Sequence, residues 1–514
     1  MSKTIIIIGA GLAGLSAALQ AAENGCNVKL VSSLPSERAQ SVMAEGGINA
    51  ALNTKDENDS PEEHFTDTIK AACGLADPNA VWGMTQAAPE LVHWLLKLGV
   101  KFNMSGYDDV DLRNFGGQKK KRTAFAQSDT GKQIMTAMID AVRRKEASGM
   151  VERFSHHSFL TLRLCGNICC GCVIRDEYSQ EIVELPGDAV IVATGGMHGL
   201  FGNTTGSLSN TGEVTAELFR LGVPLANGEM IQYHPTTVKC GGKRMLISEA
   251  ARGEGGRLFA MKDGKQWYFM EEKYPELGNL MPRDITAREI WKVSHESEVF
   301  LDMTEISEEI ISNKLSGLAD DCMTYLHKDI RKEPVSVLPG IHYFMGGILV
   351  DEQHRTPIQN LYAAGECCAQ YHGANRLGGN SLLGALYGGR VAAKSACEQA
   401  DVVDLSCATQ IDFPPASQIS EIKQLNKVMQ ETMGVVRNEN TLLNGIQTVQ
   451  ALTGNLPLLG MAVLKSALAR KESRGAHWRE DYPKSNDNDY LKTTVARFDG
   501  KQIQISFVPV PERR

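Results

Sequence analysis

The sequence predicts an α/β protein that begins with a nucleotide-binding domain, and three stretches support this class. Four isoleucines at residues 5–8 predict a short strand buried on both faces. The spacing G-x-G-x-x-G follows at once and leads into a helical pattern, and a second strand is predicted over residues 28–31. The order of strand and then glycine returns at residues 189–196 and 361–366. We therefore expect a parallel sheet with a ligand at its glycine turns.

Each glycine of the first turn has a physical role. Gly9 permits a tight turn, Gly11 has no Cβ and lets backbone approach a pyrophosphate, and Gly14 lets the helix pack against the strand. The helix N-terminus presents free N–H groups and the positive end of its dipole to the phosphates. A glycine-rich turn without a ligand has the same spacing, but the flanking strand and helix favour dinucleotide binding.

The end of the second strand departs from the usual pattern. An acidic residue commonly ends this strand and holds the ribose, whereas this strand ends in Ser32 and Ser33. A hydroxyl can still donate to or accept from a ribose, so Ser32 stays a candidate nucleotide contact. The identity of the nucleotide must come from other residues.

Size and charge exclude several classes of protein. The 514 residues, 42% of them hydrophobic, are enough for two or three domains. A net charge of −8 gives no support for nucleic-acid binding. No stretch of about eighteen apolar residues occurs, and no signal segment precedes the first strand. We expect a cytoplasmic protein, with any place at the inner face of the membrane provided by a partner.

Four cysteines lie close together at residues 165–172. They suggest an iron–sulfur cluster, but the spacing C-x3-C-C-x-C matches neither ferredoxin pattern. The region alternates like a β-hairpin, with Gly166 and Asn167 at its turn. Structural thiols in a reducing compartment are therefore favoured, and no metal site is predicted.

The rest of the chain is divided by its pattern of predicted helices, strands and loops. Helices are predicted near 61–73, 79–98 and 131–147, and a β-meander near 151–185. Loops dominate from about residue 226, helices return near 283–293 and 305–328, and a long helix follows at 383–397. After a break at 401–417, helical segments at 418–433 and 440–473 precede a strand-like tail near 502–509. The simplest division is a nucleotide domain of residues 1–225 and 340–400, an insert of residues 226–339 and a C-terminal helical domain of residues 401–514.

Five separated segments concentrate groups suited to a small dicarboxylate. A single histidine or arginine is usually structural or solvated, but these segments occur together beside a nucleotide fold. They are Gln232-Tyr-His-Pro235, Ser248-Glu-Ala-Ala-Arg-Gly-Glu-Gly-Gly256, Pro282-Arg-Asp284, His342-Tyr-Phe-Met-Gly-Gly347 and His372-Gly-Ala-Asn-Arg-Leu377.

Together these segments resemble the flavoprotein subunits of fumarate reductase and succinate dehydrogenase, to which L-aspartate oxidase is a near relative. The resemblance covers nearly the whole chain, including the late stretch Arg470-Lys-Glu-Ser-Arg-Gly-Ala-His477. It implies a Rossmann-like FAD-binding domain, an inserted α+β capping domain and a C-terminal helical domain. It also implies that the active site lies between the cap and the flavin.

The resemblance assigns roles to the dicarboxylate segments. His234, His342 and Arg376 hold the two substrate carboxylates, and the guanidinium of Arg376 suits a bidentate carboxylate contact. Ser248 supplies a hydroxyl donor where relatives commonly have threonine. Arg283 delivers the proton.

An arginine is an unusual acid, since a guanidinium hardly ever deprotonates. It becomes reasonable if a relay reprotonates Arg283 as it donates. By resemblance the catalytic set is Arg283 with the relay residues Glu249 and Arg252, whose i, i+3 spacing would put them on one helical face if that segment is helical. Flavin N5 then gives a hydride to one alkene carbon while Arg283 protonates the other.

The resemblance also implies the cofactor contacts. Ser381 and Leu382 begin the last flavin-domain helix and supply backbone donors near the flavin pyrimidine edge. The full predicted set is Gly9, Gly11, Gly14, Ser32, Ala44, Gly46, Gly47, Thr194, Gly195, Glu366, Ser381 and Leu382.

Two departures separate members of the family. Covalent relatives carry a histidine that bonds the flavin 8α-methyl just before the A-E-G-G turn, and here that position is Gln40, so we expect noncovalent FAD. The covalent bond raises the flavin potential and helps succinate oxidation, so its absence favours fumarate reduction. L-Aspartate oxidases carry an acidic residue near 114–117 that pairs with the substrate ammonium, whereas Phe115, a predicted substrate contact, offers nothing to an ammonium.

Three functions stay open on the sequence alone. The first is a fumarate reductase flavoprotein subunit, which works with an iron–sulfur protein partner on a fumarate/succinate substrate. The second is L-aspartate oxidase. The third is a flavin electron-transfer module without its own turnover, which would keep the G-x-G-x-x-G turn but need not keep both histidines and both arginines.

Overall fold

The computed structural model describes residues 2–106, 109–401, 407–411, 413 and 418–514. The strands up to residue 226 are β1 (Thr4–Ile8), β2 (Asn27–Ser32), β3 (Ile48–Asn49), β4 (Leu112–Arg113), β5 (Thr123–Ala124), β6 (Val151–Ser155), β7 (His157–Cys165), β8 (Ile168–Asp176), β9 (Ile182–Pro186), β10 (Ala189–Val192) and β11 (Leu225–Ala226). The helices over the same range are α1 (Leu12–Glu23), α2 (Pro61–Ala71), α3 (Pro78–Leu98), α4 (Thr130–Ala147) and α5 (Glu213–Arg220).

The middle of the chain is mixed. Its strands are β12 (Ile231–Cys240), β13 (Lys243–Leu246), β14 (Arg257–Lys262), β15 (Lys265–Trp267), β16 (Val299–Asp302), β17 (Val335–Ser336) and β18 (Leu338–Phe344). Its helices are α6 (Glu249–Gly253), α7 (Phe269–Lys273), α8 (Arg283–Val293), α9 (Glu308–Lys314) and α10 (Ser316–Asp321), followed by a π-helical turn at Cys322–Leu326.

The last third is mainly helical. Its strands are β19 (Gly347–Leu349), β20 (Leu361–Ala363), β21 (Cys368–Ala369), β22 (Lys492–Phe498) and β23 (Ile503–Pro509). Its helices are α11 (Asn380–Gln399), α12 (Ile419–Thr432), α13 (Glu439–Val449), α14 (Asn455–Ala469) and α15 (Asp487–Tyr490).

The nucleotide turn lies at the carboxyl end of a parallel sheet. Its strand order is β20-β10-β1-β2-β6, with every pair parallel. The isoleucines of β1 are buried, as their run predicts, and helices α1 and α11 pack together beside the sheet. The predicted strand–turn–helix and the return of the chain to the same sheet at β10 and β20 are therefore confirmed.

The prediction that loops dominate from residue 226 is wrong for residues 231–240. They form β12, which pairs with β13 on one side and β18 on the other. The pairing register shifts between His234 and Thr237, so Pro235 lies in a bulge where its missing N–H costs no ladder hydrogen bond. The proline and the polar residues around it concealed the strand.

Other predicted segments are subdivided. Residues 305–328 form two short helices and the π-helical turn, and residues 440–473 form α13 and α14 with Gly454 between them at φ +107°. Helix α8 begins and ends where it was predicted. Most of the predicted break at 401–417 falls outside the described residues.

The cysteine hairpin forms with Gly166 and Asn167 at its turn, as predicted. The expectation of thiols is wrong for Cys165, which forms a disulfide with Cys407 across a sequence separation of 242. Cys169, Cys170 and Cys172 are buried and free. Over the described part of the chain, no group of three or more histidine, cysteine or carboxylate side chains is placed to hold a metal ion. No helix in that part combines the length and hydrophobicity needed to cross a membrane.

A buried arginine network ties the C-terminal region to the start of β12. Arg470 donates to Glu229 Oε1 at 2.7 Å and to Glu472 at 2.8 Å, and Arg437 donates to the Glu229 carbonyl at 2.8 Å. These side chains are almost fully buried. The network therefore fixes the turn just before β12, the strand that carries Gln232 and His234.

Candidate active site

A cavity of about 550 Å³ runs from the nucleotide turn to the inserted segment (residues 226–339). Such a volume is typical of a cofactor site. Most of the predicted site residues line it. They are Gly9, Gly11, Ser32, Ala44, Gly46, Gly47, Phe115, Thr194, Gly195, His234, Ser248, Glu249, Arg283, His342, Glu366, Arg376, Ser381 and Leu382. The two that do not line the cavity are Gly14 and Arg252.

The nucleotide end is shaped by glycines. Gly9 has φ +111°, and a Cβ there would lie 2.3 Å from the Ala193 carbonyl oxygen, so no larger residue fits. A Cβ on Gly14 would lie 1.9 Å from the Gly9 carbonyl oxygen, which explains its packing role away from the cavity. Ser32 Oγ is buried, lines the cavity and has no hydrogen-bond partner. An unpaired buried hydroxyl at the end of β2 fits a nucleotide ribose, so these residues fit FAD.

The second glycine turn is held rigidly. Gly47 has φ +129°, and a Cβ there would lie 2.5 Å from the Ala124 carbonyl oxygen. Arg113 donates to the Gly46 carbonyl from Nε at 3.0 Å and to the Glu45 carbonyl from Nη2 at 3.0 Å. Gln40, in the same wall, accepts from the Ser207 N–H at 2.6 Å. A glutamine thus stands in the cavity wall just before the turn.

Helix α8 presents Arg283 from its first residue, and the whole guanidinium is bound on one side. Its Nε and Nη2 donate to Glu249 Oε2 at 2.8 and 2.5 Å, and its Nη1 donates to Gln232 Oε1 at 3.1 Å. Arg252 donates to Glu249 Oε1 at 3.2 Å from the next turn of α6. The predicted helical face is confirmed, and the three side chains form a continuous chain with Arg283 at its cavity end.

The pKa values of Glu249 and Arg252 are set by burial and by neighbouring charges. Burial works against ionisation of Glu249, but Arg283 and Arg252 outweigh it, so the pKa of Glu249 lies below its ordinary value. Burial, together with the charge of Arg283, lowers the pKa of Arg252 despite Glu249. A guanidinium with a lowered pKa beside a carboxylate is suited to pass a proton toward Arg283.

Two histidines of the cavity wall, His234 and His342, pack edge to face with ring centroids 5.2 Å apart. Burial, then the neighbouring positive charges, holds the pKa values of His234 and His342 well below the ordinary histidine value. His342 Nδ1 lies 2.8 Å from Thr205 Oγ1. Both rings are therefore neutral at pH 7 and serve as hydrogen-bond partners.

Arg376 is a buried cation with an unpaired donor. Its guanidinium carbon lies 4.4 Å from the centre of the Tyr343 ring, and its Nε has no hydrogen-bond partner. Burial and the charge of Arg283 lower its pKa to about 9, so it is still charged at pH 7. A buried arginine in a cavity wall with an unpaired Nε fits a carboxylate ligand.

Phe115 and Ser248 complete the walls. The Phe115 ring is 3% exposed and lies against Gly46. Ser248 caps α6 and accepts from the Ala250 N–H at 3.4 Å. Neither side chain carries a charge, so the charges of the site come from the arginines and carboxylates.

Sequence reasoning missed two residues that the structure brings into this site. Gln232 donates to Asn375 Oδ1 and to the Arg376 carbonyl, both at 2.9 Å, while it accepts from Arg283. It therefore joins the two arginines. Glu45 points into the cavity beside Ser248. Both lie inside motifs recognised in the sequence, but only the fold reveals what their side chains face.

Chemically, this end of the cavity is a small cationic chamber. Arg376 and the two neutral histidines are suited to binding carboxylates, and Arg283 lies in the cavity wall with Glu249 and then Arg252 hydrogen-bonded behind it. The arrangement suits a dicarboxylate next to a redox cofactor.

Two family models match the chain. The model described as "FAD binding domain" matches residues 4–382, and the model described as "Fumarate reductase flavoprotein C-term" matches residues 452–513. The first alone covers well over half of the chain.

Individual proteins are similar over the full length. The chain is 38% identical to the succinate dehydrogenase flavoprotein subunit of Bacillus subtilis, with 100% of this chain and 98% of the relative covered. It is 32% identical to the 8-methylmenaquinol:fumarate reductase flavoprotein subunit of Wolinella succinogenes, with 100% and 92% covered. Its structure matches a variant of Escherichia coli quinol fumarate reductase FrdA with a TM-score of 0.90, at 27% identity and with 99% and 97% covered.

Proposed function

The chain belongs to the FAD-dependent succinate dehydrogenase and fumarate reductase flavoprotein family of oxidoreductases, and on that premise we propose that it reduces fumarate to succinate. The fold is the α/β FAD-binding domain with an inserted α+β capping domain and a C-terminal helical domain. We place the domain boundaries at residues 1–225 with 340–400, 226–339 and 401–514. L-Aspartate oxidase is not favoured, since the relatives compared are succinate dehydrogenase and fumarate reductase subunits.

The observation that carries this proposal is the orientation of Arg283. Its donors toward Glu249 and Gln232 fix the guanidinium, and Arg376, joined to it through Gln232, lines the same chamber. A substrate held by Arg376 and the histidines would place an alkene carbon beside Arg283. No electron-transfer module without its own turnover needs this arrangement.

In the proposed reaction, bound FAD supplies the hydride. Arg376 and Ser248 bind and orient the carboxylates with His234 and His342, and this binding polarises the alkene. Arg283 donates a proton from a guanidinium N–H to the second carbon. Glu249 and Arg252 then return a proton to Arg283, while closure of the cap keeps bulk water away.

We predict that the FAD is noncovalent. Gln40 has no nucleophilic nitrogen for the flavin methyl group, and its amide is engaged by Ser207. Acid precipitation of the purified protein should therefore release all of the FAD into the supernatant, as measured by its absorbance. Flavin fluorescence retained in the washed pellet would show that another residue is attached. Gln40→His tests whether geometry alone permits the bond.

We predict a preferred direction of turnover. Without the covalent bond the flavin potential stays low, so fumarate reduction by a reduced dye should be much faster than succinate oxidation by an oxidised dye. Both rates are measured on one preparation at the same pH. Comparable rates would contradict the argument from the potential. Rapid oxidation of aspartate with release of hydrogen peroxide would instead select L-aspartate oxidase.

We infer an iron–sulfur protein subunit as the electron donor. Relatives that match the full length are named flavoprotein subunits, and one of them belongs to a methylmenaquinol:fumarate reductase. Electrons from a quinol must therefore reach such a subunit from outside its own chain. In this proposal any membrane contact belongs to the partner subunits.

A further inference from the structure

Two residues of the dicarboxylate segments have no part in the proposed reaction. Asn375 precedes Arg376 in the chain, and Asp284 follows Arg283. Neither lines the cavity, yet Asn375 Nδ2 donates to Asp284 Oδ1 at 3.1 Å. The other Asp284 oxygen faces Arg288 Nη1 at 4.0 Å and stays outside this contact. The contact therefore joins the loop that carries Arg376 to the first turn of α8.

This contact closes a ring of side chains around the backbone of α8. Arg283 Nη1 donates to Gln232 Oε1 at 3.1 Å, and Gln232 Nε2 donates to Asn375 Oδ1 at 2.9 Å. Asn375 then donates to Asp284, which is the neighbour of Arg283 in the chain. Gln232 Nε2 also donates to the Arg376 carbonyl at 2.9 Å. Two amides thus connect the two arginines of the site.

The ring has only one possible polarity. A guanidinium can only donate, so Arg283 requires the amide oxygen of Gln232, and the Arg376 carbonyl requires the amide nitrogen. That nitrogen in turn requires the Asn375 oxygen, which leaves the Asn375 nitrogen for the Asp284 carboxyl. Asn375 is 4% exposed, so its amide cannot exchange these partners for bulk water. An asparagine is therefore required chemically at this position.

The ring supplies a contact that Glu249 cannot. Glu249 Oε2 accepts from Nε and Nη2 of Arg283, which lie along one edge of the guanidinium. A group held along one edge can still tilt about that edge, and the bond from Nη1 to Gln232 prevents this tilt. Proton transfer depends on alignment, and a displacement of about 1 Å in an active site can cost about 10²-fold in rate.

We propose that Asn375 is a positioning residue that holds Arg283 in place relative to Arg376, through Gln232 on one side and Asp284 on the other. The inference rests on the proposed function, because it takes Arg283 as the proton donor. It makes a residue of the nucleotide domain, outside the cavity wall, a determinant of the proton-transfer step.

The first test is Asn375→Ala, which removes both bonds of the amide. With a reduced dye as electron donor, kcat for fumarate reduction should fall about tenfold or more. The Kd of malonate, which has two carboxylates but no alkene, should stay within about threefold of the wild type, since the Arg376 side chain is untouched. Asn455→Ala is the matched control. Asn455 is also buried, and its Nδ2 donates to Glu217 Oε2 at 2.8 Å outside the cavity wall, so this variant should keep its kcat.

The second test reverses the polarity of the ring. Asn375→Asp keeps the shape of the side chain but places a second carboxylate against Asp284, so kcat should again fall about tenfold or more. In an Asp284→Asn background the new amide can donate to the new carboxylate, because the two substitutions exchange the two groups. The fall caused by Asn375→Asp should then shrink to less than about threefold. A substitution that only disturbed packing would have the same effect in both backgrounds.

Four results would overturn the inference. A kcat of Asn375→Ala close to that of the wild type would mean that Glu249 alone orients Arg283. Equal losses of kcat and of malonate affinity would mean that Asn375 supports the Arg376 anchor instead. An equal fall of kcat in Asn375→Asp with and without Asp284→Asn would refute the ring. Loss of FAD from Asn375→Asp that Asp284→Asn does not relieve would assign the residue to the cofactor site.

Two further outcomes are distinguished by the design. If Asn375→Ala does not retain FAD, the comparison of Asn375→Asp in the two backgrounds decides, because that substitution preserves the shape of the side chain. If the wild-type protein itself does not reduce fumarate, the proposed function fails, and the inference that rests on it fails too. Every result that contradicts the positioning role alone is a ratio to an active wild type.

Discussion

Arg283→Ala is expected to lose nearly all fumarate reduction while keeping its FAD and its affinity for the substrate. General acid catalysis contributes about 10²–10⁴-fold, and in a closed chamber without a replacement donor the loss should reach at least the upper end of that range. Arg283 contacts Glu249 and Gln232, neither of which is a predicted flavin contact, so flavin content should be unchanged. Three quantities are measured: kcat with a reduced dye, the Kd of malonate and the ratio of flavin to protein. Malonate is a dicarboxylate that cannot be reduced, and its binding is followed by the change in flavin absorbance.

Two further variants make this result specific. Arg288→Ala is the matched control. Arg288 lies on the next turn of α8, outside the cavity wall, with its guanidinium carbon 4.0 Å from the centre of the Trp478 ring. The variant should therefore retain turnover. Arg283→Lys should recover little, because a compact ammonium on a shorter side chain does not reproduce the planar spread of donors by which the guanidinium contacts Glu249 and Gln232. Substantial turnover in Arg283→Ala would show that another group is the acid.

The sequence predicts the nucleotide end of this protein well, because its signals are local. A β-branched run, glycines at fixed spacing and a helical pattern lie within twenty residues of one another, and each constrains the backbone directly. The bounds of α8 follow from the same kind of signal. Gly9 and Gly14 have the packing that their positions imply, with no room for a Cβ at either.

The sequence could not predict the features that depend on long-range contacts. Strand β12 was concealed by Pro235, whose bulge is tolerated only because β18 shifts its register beside it. The Cys165–Cys407 disulfide joins residues 242 apart, which no local spacing indicates. Gln232 belongs to a recognised motif, yet its contact with Arg283 arises only when α8 packs on β12.

The candidate site lies between these two cases. The resemblance supplied the residues, and the structure supplies their relations, such as the placement of Arg252 behind Glu249 rather than in the cavity wall. Glu45 shows the limit most clearly. A glutamate in a glycine turn gives no sign in the sequence that it is buried beside Ser248 and faces Asp321. Burial and neighbouring charge are properties of the fold, and they decide the protonation state.

Arg376→Ala should fail in a different way from Arg283→Ala, because it removes a carboxylate anchor. The Arg376 guanidinium is buried over Tyr343 with an unpaired Nε, so its donors are available to a ligand. A charge-assisted hydrogen bond contributes about 1.5–3 kcal/mol, and losing two should raise the malonate Kd by about 10²-fold or more. The rate at saturating fumarate should also fall, since the remaining anchors hold the alkene less precisely.

The control for this variant comes from α11, the helix that follows the loop carrying Arg376. Arg390 of α11 lies over Trp94, 4.7 Å from the ring centre, and outside the cavity wall, so Arg390→Ala should leave the malonate Kd unchanged. Arg376→Lys should recover part of the affinity, because an ammonium restores the charge but offers no planar pair of donors. An unchanged malonate Kd in Arg376→Ala would exclude Arg376 as an anchor. A Kd that rises equally in Arg283→Ala and Arg376→Ala would mean that both arginines bind substrate, and the acid would then have to be found elsewhere in the chamber.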